Sequence, residues 1–242
     1  MNLRQFFESQ DKTLETHLSS SKLFRESFDV ISNVYSLITD AIPQLPFQRE
    51  KKEVLGIFAV EIATAVCIAT RLALSGNTPE SLSILRLAIE RGTQLVFVVS
   101  EAKYKTALYE VENGFDQVSY ETAFRSMGDF GKRLERLHGQ ISGTASHASA
   151  IRINWYSLER DNKVLFGPVY EREDDRVAIA LEWCLDSLVI VADCLAAAYK
   201  QESLPFRGAE QYATLWDSYR SLKTEYDKKL KRGEKGSGAA SS

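Results

Sequence analysis

Three sets of polar residues in this 242-residue chain have the types and spacing that chemistry requires. Arg86, Glu90 and Gln94 follow at four-residue steps, one stripe of a helix, with Ser83 leading and Glu61 in the neighbouring apolar run as a third charged member. An arginine and a carboxylate inside apolar segments either face water or pair within the fold, and in the second case they line a polar pocket. Arg133, His138 and His147 form the second set. Histidine titrates near neutrality and can serve as acid or base, while arginine can stabilise charge on a phosphate. The third set is positional. Gly139, Gly143 and His147 share one stripe, and His138, Ser142 and Ser146 another. A Gly-x-x-x-Gly spacing strips side chains from two turns so that a second helix can come close, and it predicts His147 pointing into an inter-helix seam.

Other chemistry is absent from the sequence. No Gly-x-x-x-x-Gly-Lys, Gly-x-Gly-x-x-Gly, Gly-x-Ser-x-Gly or His-Glu-x-x-His is present. Three scattered histidines make no metal set, and no cofactor is implied. Cys67, Cys184 and Cys194 lie in apolar helical stretches without Cys-x-x-Cys spacing, the pattern of buried free thiols in a reducing compartment. A net charge of −3 and a pI of about 5.8 draw the chain to neither nucleic acid nor anionic membrane. The basic run Lys228 to Lys235 lacks stacking aromatics and reads as a solvated helix end.

The elements that must position these residues are helices. Val54 to Ser75 and Thr78 to Val99 are apolar on most of their circumference and joined through the four-residue hinge Ser75-Gly76-Asn77-Thr78, which predicts an antiparallel αα-hairpin at the centre of the fold. Gly76 supplies a left-handed cap, with Thr78 as N-cap, Pro79 at the first helical position and Glu80 beside the positive dipole end. Glu61 and Arg71 would each cost roughly 2.5–3.5 kcal/mol at a bilayer centre, so the first of these is expected to be a core helix and not a membrane span.

Leu3 to Leu18 forms an opening helix, and Phe24, Phe28, Ile31, Tyr35, Ile38 and Ile42 mark a second with helical period, stopped by Pro43 and Pro46. After a break at Asn113-Gly114, a helix from Tyr120 to Ser126 is interrupted near Gly128 and Gly131 and resumes through Ser149 on the apolar stripe Leu134, Leu137, Ile141, Ala145 and Ala148. Residues 151–170 read as a loop or short β-hairpin, Asp174 to Lys200 as an apolar helix and Ala209 to Lys231 as a charged amphipathic one. The expectation is an all-α antiparallel bundle over 1–205, an appended C-terminal helix at 206–232 and a disordered tail at 233–242.

Arg71 to Asn77, Ser81 to Glu90 with its Arg-x-x-x-Glu, and Ser146-His147-Ala148-Ser149 resemble a broad group of bacterial helical domains of unknown function, distantly HEPN-like. The resemblance covers about Val54 to Lys200 and implies an all-α fold in which Arg86, Glu90 and His147 form a polar cluster. The segment Arg133 to His138 also has the Arg-x4-His spacing of HEPN-type nucleases, in which arginine and histidine from two subunits act on an RNA phosphate without metal. Residues five apart on a regular helix lie about 140° apart, so Arg133 and His138 converge only if the helix breaks.

Two functions are therefore expected. The first is a cytoplasmic bacterial bundle, homodimeric, that binds a ligand or protein partner through Arg86, Glu90 and Glu61. The alternative is a HEPN-like endoribonuclease of phage defence or a toxin–antitoxin system, with His147, His138 and Arg133 as catalytic residues. RNA is a partner only in the second reading, and the 209–231 helix offers a surface for a protein partner.

Overall fold

A computed structural model describes residues 3–41, 49–99, 128–145, 157–160, 163–166, 174–201 and 209–237. It is an all-α bundle of seven described helices with one small hairpin: α1 (Leu3–Ser20), α2 (Lys22–Ala41), α3 (Arg49–Leu74), α4 (Thr78–Val99), α5 (Gly128–Ala145), β1 (Ser157–Arg160), β2 (Lys163–Phe166), α6 (Asp174–Gln201) and α7 (Ala209–Ser237). The strands pair antiparallel with Ser157 opposite Phe166 and Arg160 opposite Lys163, within the segment expected to hold a hairpin. The Asn113-Gly114 break, the Tyr120 to Ser126 helix, Pro43, Pro46 and His147 lie outside the described residues.

Local chemistry fixes the turns. Ser21 caps α2: its hydroxyl oxygen accepts from Phe24 N–H at 3.3 Å and its carbonyl from Arg25 N–H at 3.1 Å. At the end of α3, Gly76 has φ 82°, Asn77 N–H reaches back to Leu72 O at 2.8 Å and Gly76 N–H to Ala73 O at 3.0 Å, a Schellman closure. Ser81 N–H then donates to Asn77 O at 2.9 Å, which makes Asn77 the N-cap of α4 in place of Thr78. One residue thus ends one helix and starts the next. Ser81 Oγ on Ala69 O at 2.7 Å and Arg91 on Glu61 at 3.4 Å show that α3 and α4 run antiparallel along their length.

The centre of the bundle is α6, not the α3–α4 hairpin. Every residue from Ser187 to Leu195 is buried, and α2, α3, α4, α5 and α7 all pack on this helix. The hairpin is one wall, its inner faces lined by small residues: Ala59, Ala63, Ala69, Ala73 and Ala88 are buried, which brings the helix axes close. As a wall it leaves Glu61 and Arg71 on the exposed side. On α2 the buried stripe is Phe24, Ser27, Ile31, Val34 and Ile38, whereas Phe28 is exposed and Tyr35 half-buried. Ser27 is accommodated because its hydroxyl meets Leu23 O and the buried Tyr226 hydroxyl, both at 2.7 Å.

That contact also corrects the place of α7. Leu222 and Tyr226 belong to the core against α2 and α6, so this helix is part of the bundle and not an appendage. It continues through Gly233 to Ser237, into the stretch expected to be a disordered tail.

Candidate functional site

The seam between α4 and α5 gathers the polar residues that could do work. α5 is one regular helix through Ala145, and its apolar stripe Leu134, Leu137 and Ile141 is buried. The close approach occurs at Gly92, where a Cβ would stand 3.4 Å from Leu134 Cδ2. It does not occur at Gly139 and Gly143, which face open space, so the Gly-x-x-x-Gly stripe is not a helix contact. Side chains flanking the packed stripes then meet at the seam's edge: Arg86 and Glu90 beside Leu85 and Ile89, His138 and Ser142 beside Leu137 and Ile141.

Arg86 Nε donates to Glu90 Oε1 at 3.0 Å, His138 Nε2 lies 3.7 Å from the same oxygen, and Ser142 Oγ is 3.4 Å from Nε2. Exposure grades across the cluster, 39% for the Arg86 side chain and 20% for both Glu90 and His138, so it opens to solvent at its arginine end. Burial, and then the Arg86 charge, hold the His138 imidazole below its ordinary 6.5, with Glu90 opposing. The ring is therefore neutral at pH 7 and keeps both a donor and an acceptor nitrogen. Glu90 and Ser142 approach one ring nitrogen and not opposite ones, so Glu90 does not orient the ring toward the serine as the acid of a catalytic triad does. What the arrangement offers is recognition: a guanidinium, a carboxylate, an imidazole and a hydroxyl fixed on two packed helices.

The remaining expected members go elsewhere. Glu61 does not join Arg86 and Glu90; it pairs with Arg91 on the outer side of the hairpin. Arg133 leaves His138 entirely, because the helix is unbroken and its guanidinium Nη1 sits 2.5 Å from Asp193 on α6. His147 falls outside the described residues.

A second polar system lies along α6 and α7. Asp193, largely buried, accepts from Arg133, from the Tyr212 hydroxyl and from Trp216 Nε1 at 3.2 Å. About two turns toward the start of α6, Asp186 accepts from Tyr219 at 2.6 Å and from Lys223 Nζ at 3.1 Å, and Lys223 also reaches Glu182 at 2.5 Å. Burial raises the Glu182 carboxyl against the pull of Lys223; it also opposes the Lys223 charge, but the two carboxylates outweigh it and raise that ammonium. Every acid here is consumed by a neighbour, which marks a set of pins between helices. The signal was available as two matching stripes: Glu182, Asp186 and Asp193 on the apolar helix α6, and Tyr212, Trp216, Tyr219 and Lys223 on the amphipathic α7.

Among the described residues no three His, Cys, Asp or Glu side chains gather as a metal site. Compared with family models, with curated proteins and with solved structures, the chain matches none.

Proposed function

We propose that this protein acts by binding, and that its polar ligand is received at the α4–α5 seam by Arg86, Glu90 and His138, with Ser142 at the margin. The observation that carries the reading is the gradient in exposure: the cluster is held by packed helices yet opens at Arg86, whose Nε is engaged by Glu90 while its terminal nitrogens have no other partner among the described residues. A preorganised guanidinium of this kind suits a carboxylate or phosphate group, and the Glu90–His138 pair suits a hydrogen-bond donor beside it. The ligand class that fits is a small polar molecule carrying one anionic group and one donor.

The nuclease reading receives less support. Its Arg133–His138 pair does not converge, because Arg133 is bound to Asp193. A thermal-shift screen with amino acids, sugar phosphates, nucleotides and dicarboxylates tests the proposal. A compound that raises the melting temperature of the native chain and not of Arg86→Met or His138→Leu supports it. No stabilising compound, or equal stabilisation of the variants, overturns it. Total RNA held with the protein in EDTA should stay intact; cleavage lost in His138→Ala or His147→Ala would favour the nuclease instead.

A further inference from the structure

The charges at the α4–α5 seam do not sum to what an anion needs. Arg86 carries one positive charge and Glu90 one negative, 3.0 Å apart, and the His138 ring beside them is neutral at pH 7. The set is therefore uncharged as it stands, and the half-exposed guanidinium is already countered by its own carboxylate. A single oxygen, Glu90 Oε1, stands between the two basic side chains. Arg86 Nε donates to it, and His138 Nε2 lies 3.7 Å away, beyond ordinary hydrogen-bond length.

One proton changes that balance. On an imidazolium both nitrogens donate, so Nε2 turns from a neighbour of Glu90 into a charged donor to it. The carboxylate then has a counter-ion on each side, and the set carries one net positive charge, with Arg86 left to meet an outside anion. The exchange runs both ways. An anion seated on the terminal nitrogens of Arg86 offsets the charge that, after burial, holds the imidazole below its ordinary 6.5, and so makes the ring easier to protonate. The charges of α4 that act on the ring are Arg86 and Glu90. On α6, also packed against α5, Asp193 is held by Arg133, which lies about 140° round the helix from His138. On α5 itself Glu135 and Arg136 are exposed, and water screens them. Ser142 Oγ, 3.4 Å from Nε2, both donates and accepts and so suits either form of the ring.

We infer that the seam takes up an anion and a proton together, the anion on Arg86 and the proton on His138, so that its affinity for the anionic group rises as pH falls. This coupling rests on the binding proposed above and is how that binding is regulated. Because the linkage is reciprocal, the bound anion raises proton affinity by the same factor as the proton raises anion affinity.

Sulfate serves as the probe, because its own charge does not change across the range tested, from about pH 8 to about pH 5.5. Followed by heteronuclear NMR at constant ionic strength, its affinity should rise about three- to tenfold over that range, since a charge a few ångströms away moves a titrating group by about one unit or more. The titration midpoint of the His138 ring should rise when sulfate is added. His138→Gln keeps a hydrogen-bonding side chain that takes up no proton, so it should bind sulfate with nearly one affinity throughout. His17→Gln and His147→Gln should each keep the pH dependence, and Arg86→Met should abolish binding at every pH. Sulfate bound through Arg86 with the same affinity across the range, or a pH dependence that survives in His138→Gln, overturns the coupling and leaves the binding site standing. No response of the seam to sulfate at any pH overturns both.

Discussion

Removing the Asp193 carboxylate should destabilise the bundle more than any other single polar change. Asp193→Ala deletes one acceptor and strands three donors on two other helices: the Arg133 guanidinium, the Tyr212 hydroxyl and the Trp216 indole N–H. The carboxylate is only 10% exposed, so water does not replace it. Hydrogen bonds to a charged group contribute about 1.5–3 kcal/mol each, but Arg133 is a third exposed and can turn to solvent, which holds the total below the sum. A loss of about 3–4 kcal/mol follows, within the range for breaking a buried ion pair. For a chain of this size that is a fall of roughly 10 °C in melting temperature. Arg133→Ala leaves Asp193 with two donors and should cost only about 1–2 kcal/mol. The double variant should be less destabilised than the two changes added together. Urea unfolding followed by circular dichroism measures all three. A loss below about 1 kcal/mol for Asp193→Ala, or an Arg133→Ala loss as large as that of Asp193→Ala, would refute the hub.

Other changes test neighbouring contacts. Arg86→Ala should cost under about 1 kcal/mol because its side chain is substantially solvated, and a loss of several kcal/mol would make the seam a structural pin and not a binding surface. Because burial and Arg86 depress the His138 pKa in the folded chain, the neutral ring is favoured there: its stabilising contribution is complete above pH 6.5 and is lost as pH falls through the folded value. An NMR titration of the His138 ring should give a midpoint below 6.5 that rises in Arg86→Met; a midpoint at or above 6.5 in the native chain contradicts the geometry. Tyr226→Phe removes the buried partner of Ser27 and should cost about 1–2 kcal/mol. Truncation before Ala209 should abolish the cooperative melt; a chain that melts unchanged without α7 would make that helix an appendage after all.

The parts of this fold that were legible in the sequence are those decided within a few residues. The turn at Gly76 follows from one glycine able to take positive φ, and even the error there is local: because the closure of α3 already uses Asn77, the start of α4 moves one residue earlier. The apolar stripe of α5 and the bounds of α6 follow from period alone. What period cannot give is which face of a largely apolar helix points inward. For α3 and α4 the buried faces combine alanine with Phe58, Ile62, Leu82 and Leu85, while the exposed faces mix Ile57, Val60, Ile68 and Leu87 with Glu61, Thr64, Arg71, Glu80 and Ser83, so apolar residues lie all round each helix and period alone leaves the inward face open. The same ambiguity hid the centre of the bundle, which lies at α6.

Charged residues within apolar helices carry a different kind of information. Glu61, Glu90, Asp186 and Asp193 each announce that a counterpart is needed, and each has one, but the partners come from distances the sequence cannot rank: four residues for Arg86, thirty for Arg91, sixty for Arg133. Solvent access then separates their roles. Asp193 is closed over by donors from two helices and has nothing left to offer a ligand. Arg86 has its Nε held by Glu90 while its side chain stays 39% exposed. A binding site needs both properties in one side chain, and that combination, more than any motif, is why the seam between α4 and α5 is the place to test.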